Sequence, residues 1–116
     1  MIGIDIVNID RVKKLKDKFE DKFYDRFLSS SEKLLIQRIE TAAGFWAAKE
    51  AASKAIGTGI GEVCNFNDIK INKDKNNAPK IKYSKALRKK FNIKKSYLSI
   101  THDGGFAIAV VVNIFK

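Results

Sequence analysis

Glu50 and Lys54 stand four residues apart in the run Phe45-Trp46-Ala47-Ala48-Lys49-Glu50-Ala51-Ala52-Ser53-Lys54-Ala55-Ile56, which reads as a helix. At 3.6 residues per turn, that spacing sets one side chain above the other on a common face. The pair can be a plain ion pair on a solvated surface. It can also place a carboxylate for a divalent cation beside an ammonium for a phosphate. Asp5 bears on the choice, because it interrupts an otherwise aliphatic strand (Ile4, Ile6, Val7) where burying an unpaired carboxylate is costly. Asp5 is an edge residue facing water, a partner for a lysine, or a companion of Glu50. In the last case two hard oxygen ligands, with waters and phosphate oxygens, suit Mg²⁺. Gly57, Gly59 and Gly61 follow at once and leave little bulk where an extended ligand could lie. They are no P-loop, since they follow a helix and lack the G-x-x-x-x-G-K-[ST] pattern.

Other reactive side chains are few. His102 is the only histidine, which excludes histidine-rich zinc and iron centres. It is either a turn residue or a ligand contact at a hairpin tip. A Cys64/His102 nucleophilic dyad lacks any flanking motif and is set aside. Arg11, Lys14, Lys18 and Lys22 form one stripe of the first helix, with Asp17, Glu20, Asp21 and Asp25 toward its far side. Segregated signs fit either a docking stripe for an acidic partner or a solvated face.

The elements that must position these groups follow from periodicity. Ile2 to Ile9 reads as a strand. Val12, Leu15, Phe19, Phe23 and Phe27 define one helix face. Ser29, Ser30 and Ser31 offer caps for a second helix entering Leu34-Leu35-Ile36. Gly44 interrupts, and a third helix runs from Phe45 to Ile56 and ends on Gly57. Phe45, Ala48, Ala51, Ala52, Ala55 and Ile56 share its apolar side. Strands follow at Val63–Ile71 and Lys80–Tyr83, around the turn Asn76-Asn77-Ala78-Pro79. A short basic helix covers Ser84 to Phe91. A hairpin, Ser96–Thr101 with Phe106–Phe115, then turns around His102-Asp103-Gly104-Gly105. The order β-α-α-α-β-β-α-β-β predicts an α+β fold, an antiparallel sheet packed by helices on one side.

The chain has 116 residues with a formal net charge of +10, which suits one domain with its own core. Residues 1–60 carry a net +2 and residues 61–116 a net +8. One cysteine permits no internal disulfide, no apolar run is long enough to span a bilayer, and no signal peptide is visible. The expectation is a cytoplasmic protein without membrane contact. The basic stretch 85–95 would suit nucleic acid, but no RNP-like aromatic motif, KH-type loop or zinc spacing accompanies it.

Three separated segments resemble one family: Gly3-Ile4-Asp5-Ile6-Val7 with Arg11; residues 47–61 around Lys49-Glu50-Ala51-Ala52-Ser53-Lys54; and Leu98-Ser99-Ile100-Thr101-His102-Asp103. The chain is similar over nearly its whole length to the holo-[acyl-carrier-protein] synthases, the short bacterial 4′-phosphopantetheinyl transferases. The resemblance implies that fold, and three subunits with active sites at their interfaces. It implies transfer of 4′-phosphopantetheine from coenzyme A to a serine of apo acyl carrier protein, with release of adenosine 3′,5′-bisphosphate, in fatty acid biosynthesis. Asp5 and Glu50 are then the ligands of Mg²⁺ and, with Lys54, the catalytic groups. Ser53, Lys54, Gly57, Thr101 and His102 line the coenzyme A site. Arg11, Lys14 and Lys18 meet the acidic helix of the carrier protein. The base for the serine stays open between Glu50 and a water held by the metal. Two positions depart from the family pattern: Phe45 stands where an Arg is common, and Asn77-Ala78-Pro79 replaces a Gly-Lys-Pro turn. A trimeric structural protein with a decayed site is the blander alternative; intact Asp5, Glu50 and Lys54 argue against it.

Overall fold

A computed structural model describes all residues, 1–116. The α+β expectation holds, with two antiparallel sheets in place of one. Strand β1 (Ile2–Asn8) pairs with β5 (Phe106–Phe115), which pairs in turn with β4 (Ile93–Asp103), giving the order β1-β5-β4. The hairpin β2 (Ile69–Lys73) with β3 (Pro79–Tyr83) forms a separate two-stranded sheet. Its alternation of buried Ile69, Ile71, Ile81 and Tyr83 with outward lysines lays one face inward. Periodicity could define the hairpin but not what it pairs with.

Helix α4 (Ile39–Ala55) lies between these layers. It starts six residues before the expected Phe45, and Gly44 is interior rather than a break. A methyl group at Gly44 would sit 2.9 Å from the Ile100 side chain, so this glycine lets β4 approach the helix. Phe45, Ala48, Ala51, Ala52, Ala55 and Ile56 are all buried as their spacing predicts. Ala42, Ala43 and Ala47 are buried as well, because the helix is covered on more than one side.

The first helix departs from its expected single face. Asn8 caps it through Oδ1 to the Arg11 N–H, so α1 spans Ile9–Phe19, and Glu20 at φ 54° then breaks it. Helix α2 (Asp21–Asp25) turns Phe23 inward, and Phe27 just beyond it meets Trp46 at a centroid distance of 4.9 Å. The break also ends the basic stripe, since Lys22 falls outside α1. Helix α3 (Ser30–Lys33) is capped by Ser29 as predicted but stops after one turn, leaving Leu34 85% exposed. Residues 63–68 are not strand; β2 begins only at Ile69, after a 3-10 turn at Phe66–Asp68. Helix α5 (Lys85–Lys90) precedes β4, which begins at Ile93, three residues earlier than expected. No helix is long and apolar enough to cross a membrane.

The three-stranded sheet has one covered and one open face. Gly3, Asp5 and Val7 turn toward α4 with their partners Val111, Ala109 and Ala107. Ile2, Ile4 and Ile6 point the other way and are exposed, as is Tyr97 of β4.

Candidate active site

The site begins at Gly3. A Cβ there would lie 2.0 Å from the Ala51 carbonyl oxygen and 2.6 Å from the Ala55 nitrogen. Only glycine lets β1 come this close to α4. Two residues on, and on the same face, Asp5 therefore stands beside the turn of α4 that carries Glu50 and Lys54. Lys54 donates from Nζ to Asp5 Oδ1 at 2.8 Å and reaches the Ile4 carbonyl at 3.4 Å. The sequence offered Glu50 as a partner for Lys54, but the ion pair is with Asp5 instead. Of the three readings of Asp5, the edge residue facing water is not realised, since its side chain is only 14% exposed; the lysine partner is, and Glu50 is near enough to feel its charge. Burial and then the nearby Asp5 charge hold the Glu50 carboxyl above its ordinary pKa, with Lys54 opposing. The hydrogen bond to Asp5 raises the Lys54 ammonium.

Helix α4 ends where the glycines begin. Thr58 and Gly59 donate backbone N–H groups to the Ser53 carbonyl, and Gly57 and Gly59 take φ of 79° and 65°. Nothing lies within 4 Å of a Cβ at Gly57, Gly59 or Gly61, so the turn is open beside Lys54. Ser53 is turned inward: it is fully buried and its hydroxyl donates to the Glu50 carbonyl at 2.7 Å.

Thr101 and His102 lie elsewhere in the chain. Thr101 lies in β4 as expected, and His102 belongs to β4 as well rather than to the hairpin turn, which is confined to Gly104-Gly105. With β5 between, β4 stands about 10 Å from β1. Thr101 pairs with Ile108 on the open face, away from α4. His102 edges two shallow cavities, one of about 200 Å³ with Arg38, Thr41, Phe45 and Lys73, the other with Asp10, Lys13 and Glu40. A single chain does not bring Thr101 and His102 to the carboxylates. Arg11, Lys14 and Lys18 are exposed along α1; Lys14 pairs with Asp10 at 3.1 Å, and Arg11 has no acidic partner within 4 Å.

Two residues escaped the sequence reading. Lys49 and Glu32, each 1% exposed, form a buried pair at 2.8 Å. The N3 position of Glu32 after Ser29 was the available signal, since capping acids look back to the chain. Burial opposes ionisation of Glu32, but hydrogen bonds from Lys49, Ser29 and Ile71 outweigh it and hold this carboxylate below its ordinary range. Cys64 is buried and its thiol is pushed up to about 11, chiefly by burial, so it is no nucleophile.

No group of three or more His, Cys, Asp or Glu side chains gathers to hold a metal. Asp5 and Glu50 alone offer hard oxygens. Together the parts make a two-carboxylate, one-ammonium cluster beside an open glycine turn, a geometry for phosphate chemistry.

Comparison with known proteins gives the family. Residues 1–111 match the model of the 4′-phosphopantetheinyl transferase superfamily. A holo-[acyl-carrier-protein] synthase of Aliarcobacter butzleri is 70% identical over 116 residues, covering 100% of this chain and 98% of that one. The Campylobacter fetus synthase is 61% identical over 112 residues, 97% of each. Among solved structures, Helicobacter pylori holo-[acyl-carrier-protein] synthase in complex with coenzyme A superposes with TM-score 0.95 at 52% identity, covering 98% and 100% of the two chains. The Bacillus anthracis synthase in complex with CoA (3′,5′-ADP) gives 0.80 at 37%, covering 97% and 93%. The chain belongs to the 4′-phosphopantetheinyl transferase superfamily and, within it, to the holo-[acyl-carrier-protein] synthases, and is an enzyme of that class.

Proposed function

We propose that residues 1–116 act as one domain that transfers 4′-phosphopantetheine from coenzyme A to a serine of apo acyl carrier protein. The transfer depends on Mg²⁺, releases adenosine 3′,5′-bisphosphate, and serves fatty acid biosynthesis in the cytoplasm. The observation that carries the reading is the meeting of Asp5, Glu50 and Lys54 on the part of α4 that leads into the open turn 57–61. The coenzyme A in the Helicobacter pylori relative supports the choice of donor.

The residues present fit Mg²⁺. Asp5 and Glu50 are close enough for one charge to resist ionisation of the other, a repulsion that a divalent cation relieves. Mg²⁺ is commonly held by one or two carboxylates with substrate phosphates and waters. Bound there, it would neutralise charge on the pyrophosphate. Lys54, half-exposed at the helix end, adds a cation for the same oxygens. Gly57 leaves room for the pantetheine arm, and Ser53 shapes that turn through its carbonyl. Arg11, Lys14 and Lys18 present a basic edge to the acidic carrier protein.

The uncovered face with Ile2, Ile4, Ile6 and Tyr97 supports a trimer in which neighbouring copies shield it. Thr101 and His102 then complete the coenzyme A site from an adjacent subunit. The direct test mixes the protein with coenzyme A, Mg²⁺ and apo carrier protein and weighs the carrier. The expected result is a gain of one phosphopantetheine; no gain with either Mg²⁺ or Mn²⁺ sinks the reading. Light scattering reads the trimer, and a monomer at working concentration refutes it.

A further inference from the structure

Helix α4 has a construction problem. Its sheet-facing surface is made of Ala48, Ala51, Ala55 and Gly44. Small side chains let the backbone come close, but they give few ridges to interlock with β1 and β5. Such a surface fixes the spacing of the helix better than its rotation about its own axis. Rotation matters here. A side-chain carboxylate lies about 5–6 Å from a helix axis, so a roll of about 10° moves it by about 1 Å. Errors of that size are enough to cost roughly a hundredfold in rate.

Directional contacts are found on the other flank. Lys49, the residue before Glu50, donates from Nζ to Glu32 Oε1 at 2.8 Å and to the Phe66 carbonyl at 3.2 Å. Glu32 is itself immobilised: Oε1 accepts the Ser29 N–H at 2.7 Å, and Oε2 accepts the Ile71 N–H at 2.7 Å. The carboxylate thereby joins α3, α4 and β2. One turn on, the Tyr83 hydroxyl donates to the Ala52 carbonyl at 2.7 Å and gives a second tether. Stability alone is a weak reason for a buried ion pair, because apolar residues of similar volume usually serve as well or better. Hydrogen bonds, unlike apolar contacts, specify an angle.

We propose that Lys49 and Glu32 are positioning residues: their buried pair sets the rotation of α4 and so holds the Glu50 carboxylate against Asp5. This rests on the reading of Asp5 and Glu50 as the metal-binding pair. The test is the double variant E32L/K49M, which keeps the volume and removes both charges. Its thermal midpoint is expected below that of the parent, because the Ser29 and Ile71 N–H groups lose their acceptor, while KM for coenzyme A stays close to the parent value. The expected losses are a kcat lowered roughly 10- to 100-fold and calorimetric Mg²⁺ affinity weakened about tenfold. Parental kcat and Mg²⁺ affinity in a folded double variant overturn the proposal. If that variant does not fold, E32D decides, since it keeps the pair but draws the acceptor back by one methylene. Lowered kcat at unchanged KM in folded E32D supports positioning, and parental kcat overturns it. Collapse of both variants assigns the pair to folding alone and also overturns it. Failure of the underlying reading looks different: the parent enzyme would then ignore Mg²⁺, or E50Q would transfer normally.

Discussion

Two ion pairs on one helix have the same length and different physics. Lys54 reaches Asp5 at 2.8 Å with its side chain 52% exposed, and Lys49 reaches Glu32 at 2.8 Å with both partners 1% exposed. The first can exchange its partner for water, metal or phosphate at small cost, as surface pairs can. The second cannot, because either charge left alone in the interior is expensive. An acting site needs groups that can change partners, and its support needs groups that cannot. On the proposed reading, helix α4 carries one of each, five residues apart.

The sharpest break in this contrast comes from the site itself. E50A and D5A should each cut transfer by about 10²–10³-fold or more while leaving the fold intact, judged by circular dichroism and a carrier-protein mass assay. Normal turnover in either would refute its role. Next in size, K49A should destabilise the protein by roughly 3–5 kcal/mol in urea unfolding, by leaving Glu32 unpaired. K54A should cost no more than about 1 kcal/mol, since Lys54 is half in solvent and water can reach the Asp5 carboxylate in its place. Equal losses in the two variants would erase the distinction between the two pairs.

Smaller effects separate the two carboxylates by pH. Glu32 is held below its unfolded pKa, so it contributes stability above the ordinary glutamate range that is lost as pH falls through the lowered value. Glu50 is raised, so the folded state pays for ionising it, and that penalty grows as pH rises from the unfolded pKa through the folded one. E50Q should therefore stabilise the metal-free protein at neutral pH, whereas E32Q should destabilise it. Urea unfolding of both variants at neutral and acid pH checks the opposite signs. In D5N, carboxyl NMR of the metal-free protein should find Glu50 titrating lower than in the parent.

Much of this was legible in the residues, and the failures have identifiable causes. The strand at β1, the Ser29 cap, the buried face of α4 and the hairpin β4–β5 follow from local period and capping. The start of α4 was missed because Gly44 reads as a breaker until Ile100 is seen to need its space. The split at Glu20 was missed because Phe23 and Phe27 keep helical spacing while turning inward to Trp46. His102 was assigned to a turn because hairpin ends are weakly marked, and Gly104-Gly105 alone make the reversal.

Local order could place Glu50 and Lys54 on neighbouring turns and put Asp5 in a strand, because periodicity is a property of contiguous residues. It could also show the family through those motifs. Partner choice was beyond it. Lys54 lies 49 residues from Asp5, and Lys49 lies 17 from Glu32. Which lysine met which acid depended on a close approach at Gly3 and on burial between two sheets. Such contacts are made when distant segments pack, and only the tertiary structure could decide that one pair faces solvent and the other the core.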